Sequence, residues 1–315
     1  CIVVNNGTSS LTLAAIATGV KAGDEVIVPN YTMIATATSM SMIGAKPIFV
    51  DVEPDTLCMD FSKIQASITP KTKALILVSA NGRFPSYNIQ KLVSLCKEND
   101  IAFIEDAAQA LGSYYPDNTH VGLKGLVGSI SFSAPKIIST GQGGALITDC
   151  DDLADKIRRL KDFGRSSGGS DIHDTVGFNF KFTELQAVVG IEQMKKLGFR
   201  VERKKEIYQR YVDNLSSVSE VKFFEHNFDL TTPWFIDCTA VNRDALQLYL
   251  KSKNVGTRVM YPPLTSQKPY FNTGDYPVAS HIGQNGLWLP SMSQLSDDEI
   301  DLICNEICCF YQLVE

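Results

Sequence analysis

The chain has no apolar stretch of membrane-spanning length, no run of lysines or arginines, and no Cys-x-x-Cys pair. Each absence removes a class of protein. Without roughly 20 consecutive apolar residues there is no candidate spanning helix. The formal net charge of −6, with basic residues dispersed, leaves no electrostatic footprint for nucleic acid and no basic face for a membrane. The opening residues lack the charged and apolar regions of a secretory signal, so a cytoplasmic location is expected. Several of the eight cysteines sit in apolar runs and are expected to be buried, reduced thiols; no metal site is expected. The glycines at Gly141, Gly143 and Gly144 lack G-x-G-x-x-G spacing, which counts against a nicotinamide enzyme.

What is present is an alternation of β-rich and helix-like segments. Glu25–Pro29, Lys46–Val52, Lys73–Val78 and Ala102–Asp106 are short apolar runs that end in turn or polar residues. Between them lie helical patterns over Ser9–Val20, Thr32–Met42, Asp60–Ile68 and Ile89–Asn99. Near-continuous apolar strands separated by helices predict a parallel sheet covered on both faces. Ser129–Ser133 and Gly143–Asp149 add two strands, and a helix follows from Asp151 to about Asp162. From Thr183 the character changes to an amphipathic helix and a longer charged one, reaching about Leu215. Short strands at Val221–Phe224 and Trp234–Thr239 then mix with helices at Arg243–Lys253 and Ser296–Tyr311. The expectation is an α/β large domain over 1–200 and a smaller α+β domain over 201–315. The opening CIVVNNGTSS reads as a domain entered partway, with an N-terminal segment missing.

Four features carry chemistry. Gly7-Thr8-Ser9 opens a helix, where a glycine admits close approach and free N–H groups attract a phosphate; alternatively they are an ordinary helix start. Asp106 ends a strand at the sheet edge where ligands bind, and Gln109 follows three residues later. A carboxylate there either caps the next helix or pairs with a protonated ring nitrogen. Lys136 follows the strand SISFS and precedes a glycine-rich turn; a desolvated lysine forms imines, whereas a solvated one does nothing in particular. Ser131 and Ser133 alternate along that strand and offer hydroxyls. A phosphate cradle, an acid for a ring nitrogen and an imine-forming lysine are together what pyridoxal 5'-phosphate (PLP) chemistry requires.

NNGTSSLTLA, IEDAAQALGS, SFSAPKIISTGQGG, GFNFKFTELQAVVGIEQM and LPSMSQLSDDEI together resemble the DegT–StrS nucleotide-sugar aminotransferases over nearly the whole chain. The resemblance implies the fold type I PLP-dependent transferase architecture. It implies that Lys136 bonds the cofactor and moves the proton, with Asp106 on the pyridine nitrogen and Gln109 beside it. It also implies Gly7, Thr8, Ser9 and Ser131 as phosphate contacts, with Asn179 reaching the neighbouring subunit's phosphate in a homodimer with shared active sites. His173, Lys181 and Arg258 fall in substrate-contacting stretches. The implied reaction moves an amino group from L-glutamate to a nucleotide-linked 4-keto-6-deoxy sugar. The alternatives are amination at C3, a dehydratase, whose relatives carry histidine at the lysine position, and a non-catalytic regulator, which would be free to lose Lys136 or Asp106; this chain has both.

This chain departs from the family pattern at four places. Met33 stands where an aromatic residue often stacks on the ring, Lys181 where arginine is common, and Gln142 where glutamate is usual. Ala80-Asn81-Gly82-Arg83 replaces a segment that often contains histidine.

Overall fold

The computed structural model describes residues 1–169 and 171–314. Ile2–Val4 (β1), Glu25–Pro29 (β2), Lys46–Val50 (β3), Thr72–Val78 (β4), Ala102–Asp106 (β5), Val127–Ser131 (β6) and Gly144–Ile147 (β7) form one sheet in the order β1-β7-β6-β5-β4-β2-β3. Strands β2 through β6 pair in parallel, and β7 runs antiparallel to both its neighbours. The alternation within each strand feeds two cores. Val26, Val28 and Ile76 join one core with Leu13 and Ile157, from helices Gly7–Ala17 (α1) and Asp151–Lys161 (α5). Ile27, Leu75 and Leu77 join the other with Ile64 and Leu92, beneath Phe61–Ser67 (α3) and Ile89–Glu98 (α4). The α2 helix, Ala35–Ser41, lies on the α1 side through Met40. Burial on both faces is why these strands are apolar throughout rather than alternating with polar residues.

A second, wholly antiparallel sheet is built from Val221–Phe223 (β8), Ile236–Ala240 (β9), Arg258–Val259 (β10) and Gly286–Leu289 (β11), in the order β10-β11-β9-β8. Ile207 and Tyr211 of Leu197–Asn214 (α7), Leu246 and Leu250 of Arg243–Ser252 (α8), and Ile300 and Ile307 of Asp297–Val314 (α10) pack with Ile236 and Leu287 in a core of its own. Glu184–Met194 (α6) and Pro277–Asn285 (α9) complete the α-helices of the described residues. Position 200 falls inside α7, whose residues in the second core begin at Ile207.

The two sheets are tied by a dense seam. Thr232 donates from its N–H to Ser113 Oγ (3.0 Å) and from its hydroxyl to Gly112 O (2.8 Å). Asn81 and Phe235 exchange two bonds, Nδ2 to O at 2.9 Å and N to Oδ1 at 2.6 Å. Gly82, at φ +85°, has Thr232 O only 2.0 Å from where a Cβ would stand, so only glycine fits that crossing. Arg83 forks onto Asp237 at 2.6 and 3.2 Å, with both side chains buried. Removing either partner would strand a buried charge at a cost of about 3–5 kcal/mol.

Several boundaries differ from expectation. The helix expected from Thr32 starts at Ala35, because Tyr31 and Thr32 are buried in a turn at the strand end. The strand expected at Ser129–Ser133 runs over Val127–Ser131, so Ser131 closes the strand and Ser133 lies beyond it. The expectation of buried cysteines holds for Cys58, Cys96, Cys238 and Cys304; Cys1, Cys150 and Cys309 are exposed and Cys308 is half-buried. All eight are free thiols. No described helix is long and apolar enough to cross a membrane.

Candidate active site

The carboxyl ends of β5 and β6 and the start of α1 converge. Asn6 caps α1, its side chain accepting from the Ser9 N–H at 2.8 Å. The cap uses the Ser9 amide and buries its side chain, leaving the Gly7 and Thr8 amides among those a helix start cannot satisfy internally. A Cβ on Gly7 would meet Ser131 Cβ at 3.0 Å and Ser131 Oγ at 3.2 Å. The glycine therefore brings two backbone donors against a hydroxyl, in a concavity suited to a phosphate. Ser131 Oγ lies 3.3 Å from Ser133 Oγ, so the two serines stay neighbours although the strand ends between them.

Asp106 is 5% exposed. Burial raises its pKa; the Ala108 N–H (3.2 Å), the Thr36 hydroxyl (3.0 Å) and the Lys136 charge act the other way. Two donors leave carboxylate lone pairs unspent, and a buried carboxylate of this kind is stabilised by a cationic N–H. Gln109 turns its Oε1 to the Asn81 N–H at 2.7 Å, which joins this edge to the seam. Met33 is 46% exposed at the turn before α2, its sulfur accepting from the Ala35 N–H.

Lys136 sits half-buried in the loop after β6, and its Nζ lies 3.7 Å from the centre of the Trp234 ring. Burial pushes its pKa down to about 8, with Asp106 opposing. Trp234 is fixed by donating from Nε1 to Pro135 O at 2.7 Å. Behind it the buried Lys204 of α7 donates to Trp234 O (2.8 Å), to Ser291 O and to Ser291 Oγ (3.2 Å). A cleft of about 570 Å³ opens between Lys136 and the second sheet, reaching Arg200, Lys204, Arg258 and Trp288. Lys136 is the one residue this cleft's lining shares with the cofactor residues expected from sequence.

The remaining expected residues are scattered. Arg258 is exposed on β10, its guanidinium 5.4 Å from the centre of the Trp288 ring. Asn179 is exposed and bridges to Asp162. His173 is exposed and donates from Nδ1 to Phe163 O at 3.0 Å. Lys181 pairs with Asp162 at 2.8 Å and lines a different cleft, with Arg165. Helix α6 has no buried residue; Leu185, Val188 and Ile191 are all more than half exposed. Sequence reasoning missed Thr36, Trp234, Arg200 and Lys204. Only Trp234 left a trace, as one of two tryptophans, beside a proline at a strand start. Lys204 was hidden in the charged run Arg203-Lys-Lys-Glu206.

An α/β sheet edge that offers a phosphate concavity, a buried acid and a desolvated lysine defines an enzyme of the imine-forming, phosphate-cofactor class. The sequence profile of the DegT/DnrJ/EryC1/StrS aminotransferase family matches residues 1–308, and the chain belongs to that family of sugar aminotransferases, which are PLP-dependent enzymes. It is 35% identical over 312 residues to the GDP-perosamine synthase of Escherichia coli, covering 98% of this chain and 85% of that protein. The fold matches the crystal structure of a DegT DnrJ EryC1 StrS aminotransferase from Brucella abortus with a TM-score of 0.91 at 30% identity, covering 98% of this chain and 85% of the other. DesI, crystallised in the presence of its TDP-sugar product, matches with a TM-score of 0.89 at 28% identity, covering 97% and 79%. The concavity at Gly7, the unspent lone pairs of Asp106 and the free amine of Lys136 fit the family's cofactor.

Proposed function

We propose that the chain binds PLP and moves an amino group from L-glutamate to C4 of a nucleotide-linked 4-keto-6-deoxy sugar, as a cytoplasmic homodimer. Residues 1–200 would serve as the cofactor lobe and 201–315 as the small lobe. One observation carries this reading: the Lys136 amine is desolvated, has no hydrogen-bond acceptor among the described residues, and lies within electrostatic reach of the buried Asp106 carboxylate. PLP, when bound, supplies the sink for the electron pair released at the reacting carbon.

The protein's own groups do the rest. Gly7 and Thr8 amides, with Ser9 behind them and the Ser131 hydroxyl opposite, would hold the phosphate. Asp106 would hold a protonated ring nitrogen, Gln109 would steady the adjoining edge, and Met33 would offer its polarizable sulfur to the ring. Lys136 would hold the cofactor through its amine and, once free, would move the proton at the donor's α-carbon and again at the sugar C4. His173, Lys181 and Arg258 contact substrate. The exposed apolar face of α6 suits a second copy of the chain, which would bring Asn179 to its neighbour's phosphate.

The test is a visible spectrum of the protein with added PLP, beside Lys136→Ala, before and after glutamate. A lysine-dependent band that glutamate moves to shorter wavelength is expected, followed by turnover of a GDP-, UDP- or dTDP-linked 4-keto sugar. A wild-type protein without such a band overturns the reading.

A further inference from the structure

Arginines in this protein are almost all neutralised in place. Seven of the nine form an ion pair with a carboxylate. The two with no carboxylate partner among the described residues, Arg200 and Arg258, both line the cleft that opens onto Lys136. Lys204 lines it too, and no Asp or Glu does. In a chain of net charge −6 the two arginines alone are a local excess of positive charge, with no carboxylate in the cleft lining to balance it. Arg200 spends one N–H on Ile137 O at 2.8 Å, which leaves most of its five donors uncommitted. Arg258 has its guanidinium 5.4 Å from the centre of the Trp288 ring and makes no side-chain hydrogen bond among the described residues, which leaves its donors for an anion.

We propose that Arg200 and Arg258 form an oxyanion subsite that takes the two carboxylates of a dicarboxylic amino donor. This rests on the aminotransferase reading above and gives it a structural basis for its donor class. The diphosphate of a nucleotide-linked sugar is also an oxyanion. The donor is favoured because the cleft meets the reacting lysine directly. The α-carboxylate is one bond from the reacting carbon, whereas a sugar ring separates the diphosphate from its keto carbon. Two guanidiniums on separate elements, α7 and β10, suit two separate carboxylates.

Calorimetric titration of the PLP-loaded full chain tests this, using glutarate, a dicarboxylate with no amino group to react, and GDP in parallel. Glutarate should bind the wild type and weaken by ~10-fold or more in Arg200→Gln and in Arg258→Gln, as charge-assisted bonds are lost. GDP binding should not change. Arg200→Lys, which keeps a charge and a donor for Ile137 O, should lie between, and equal melting temperatures exclude a folding defect. No glutarate binding to the wild type, glutarate binding indifferent to either substitution, or GDP binding that falls as much as glutarate binding would each overturn the proposal. The visible spectrum of the same samples separates the two readings. If glutamate still shifts the band while glutarate ignores the arginines, the subsite fails and the aminotransferase stands.

Discussion

Two lysines flank Trp234, and they show how little a shifted pKa says alone. Lys204, on α7, is driven down to about 7 by burial and by Arg200. Lys136, in the loop after β6, is driven down to about 8 by burial with Asp106 opposing. By pKa, Lys204 would be the better nucleophile. Its amine, however, is surrounded by Trp234 O, Ser291 O and Ser291 Oγ, so its donors are committed and its lone pair has no approach. The Lys136 amine faces an indole ring and no acceptor among the described residues. Desolvation makes both reactive in principle; hydrogen-bond occupancy decides that one is a strut and the other free to react.

The comparison breaks most visibly by deletion. Lys136→Ala should cut the glutamate half-reaction on the order of a thousandfold or more, with the melting temperature nearly unchanged, read by stopped-flow absorbance and calorimetry. Lys204→Met should do the reverse. Two buried carbonyls lose their donor at about 1–3 kcal/mol each, lowering the melting temperature by roughly 5 °C or more. The lysine-dependent band should survive. A stable Lys204→Met protein with no band would show that Lys204 belongs to the chemistry and that occupancy is the wrong criterion.

Strand-by-strand, the large sheet was legible because burial on both faces writes an uninterrupted apolar run. Glu25–Pro29 and Ala102–Asp106 stand where their composition puts them, which fixes Asp106 at a strand end. The last turns were less legible. Ser131 and Ser133 fall on either side of the β6 terminus, because where a strand stops depends on its partner, here the antiparallel β7. Strands β10 and β11 were not seen. β10 is two residues long, and β11 holds its place by pairing with β9, a contact with no local signal. The site was legible for residues whose chemistry shows in a motif, such as Lys136 and Asp106. It was illegible for Thr36, Arg200 and Lys204, whose roles come from what faces them across the fold.

A smaller effect sharpens the Lys136 side of the comparison. Only a neutral amine attacks an aldehyde, and burial lowers the folded pKa to about 8 from roughly 10.4 for a free lysine. Cofactor uptake by the PLP-free chain should therefore accelerate with rising pH up to about 8 and level off above it, measured as the rate at which the visible band appears. A rate still climbing toward about pH 10 would mean that the amine is solvated.

The indole face sets the final increment. A cation over an aromatic ring is favoured by about 0.5–2 kcal/mol, so Trp234 holds the Lys136 ammonium form and opposes the effect of burial. Trp234→Phe keeps a ring but weakens its quadrupole, and it removes the Nε1 bond to Pro135 O. The sign follows: less stabilisation of the charged form lowers the pKa further, moving the uptake midpoint downward by about a few tenths of a pH unit. A midpoint that moves upward instead would mean that the ring acts on Lys136 mainly by excluding water, and that its π face contributes little to the amine's charge.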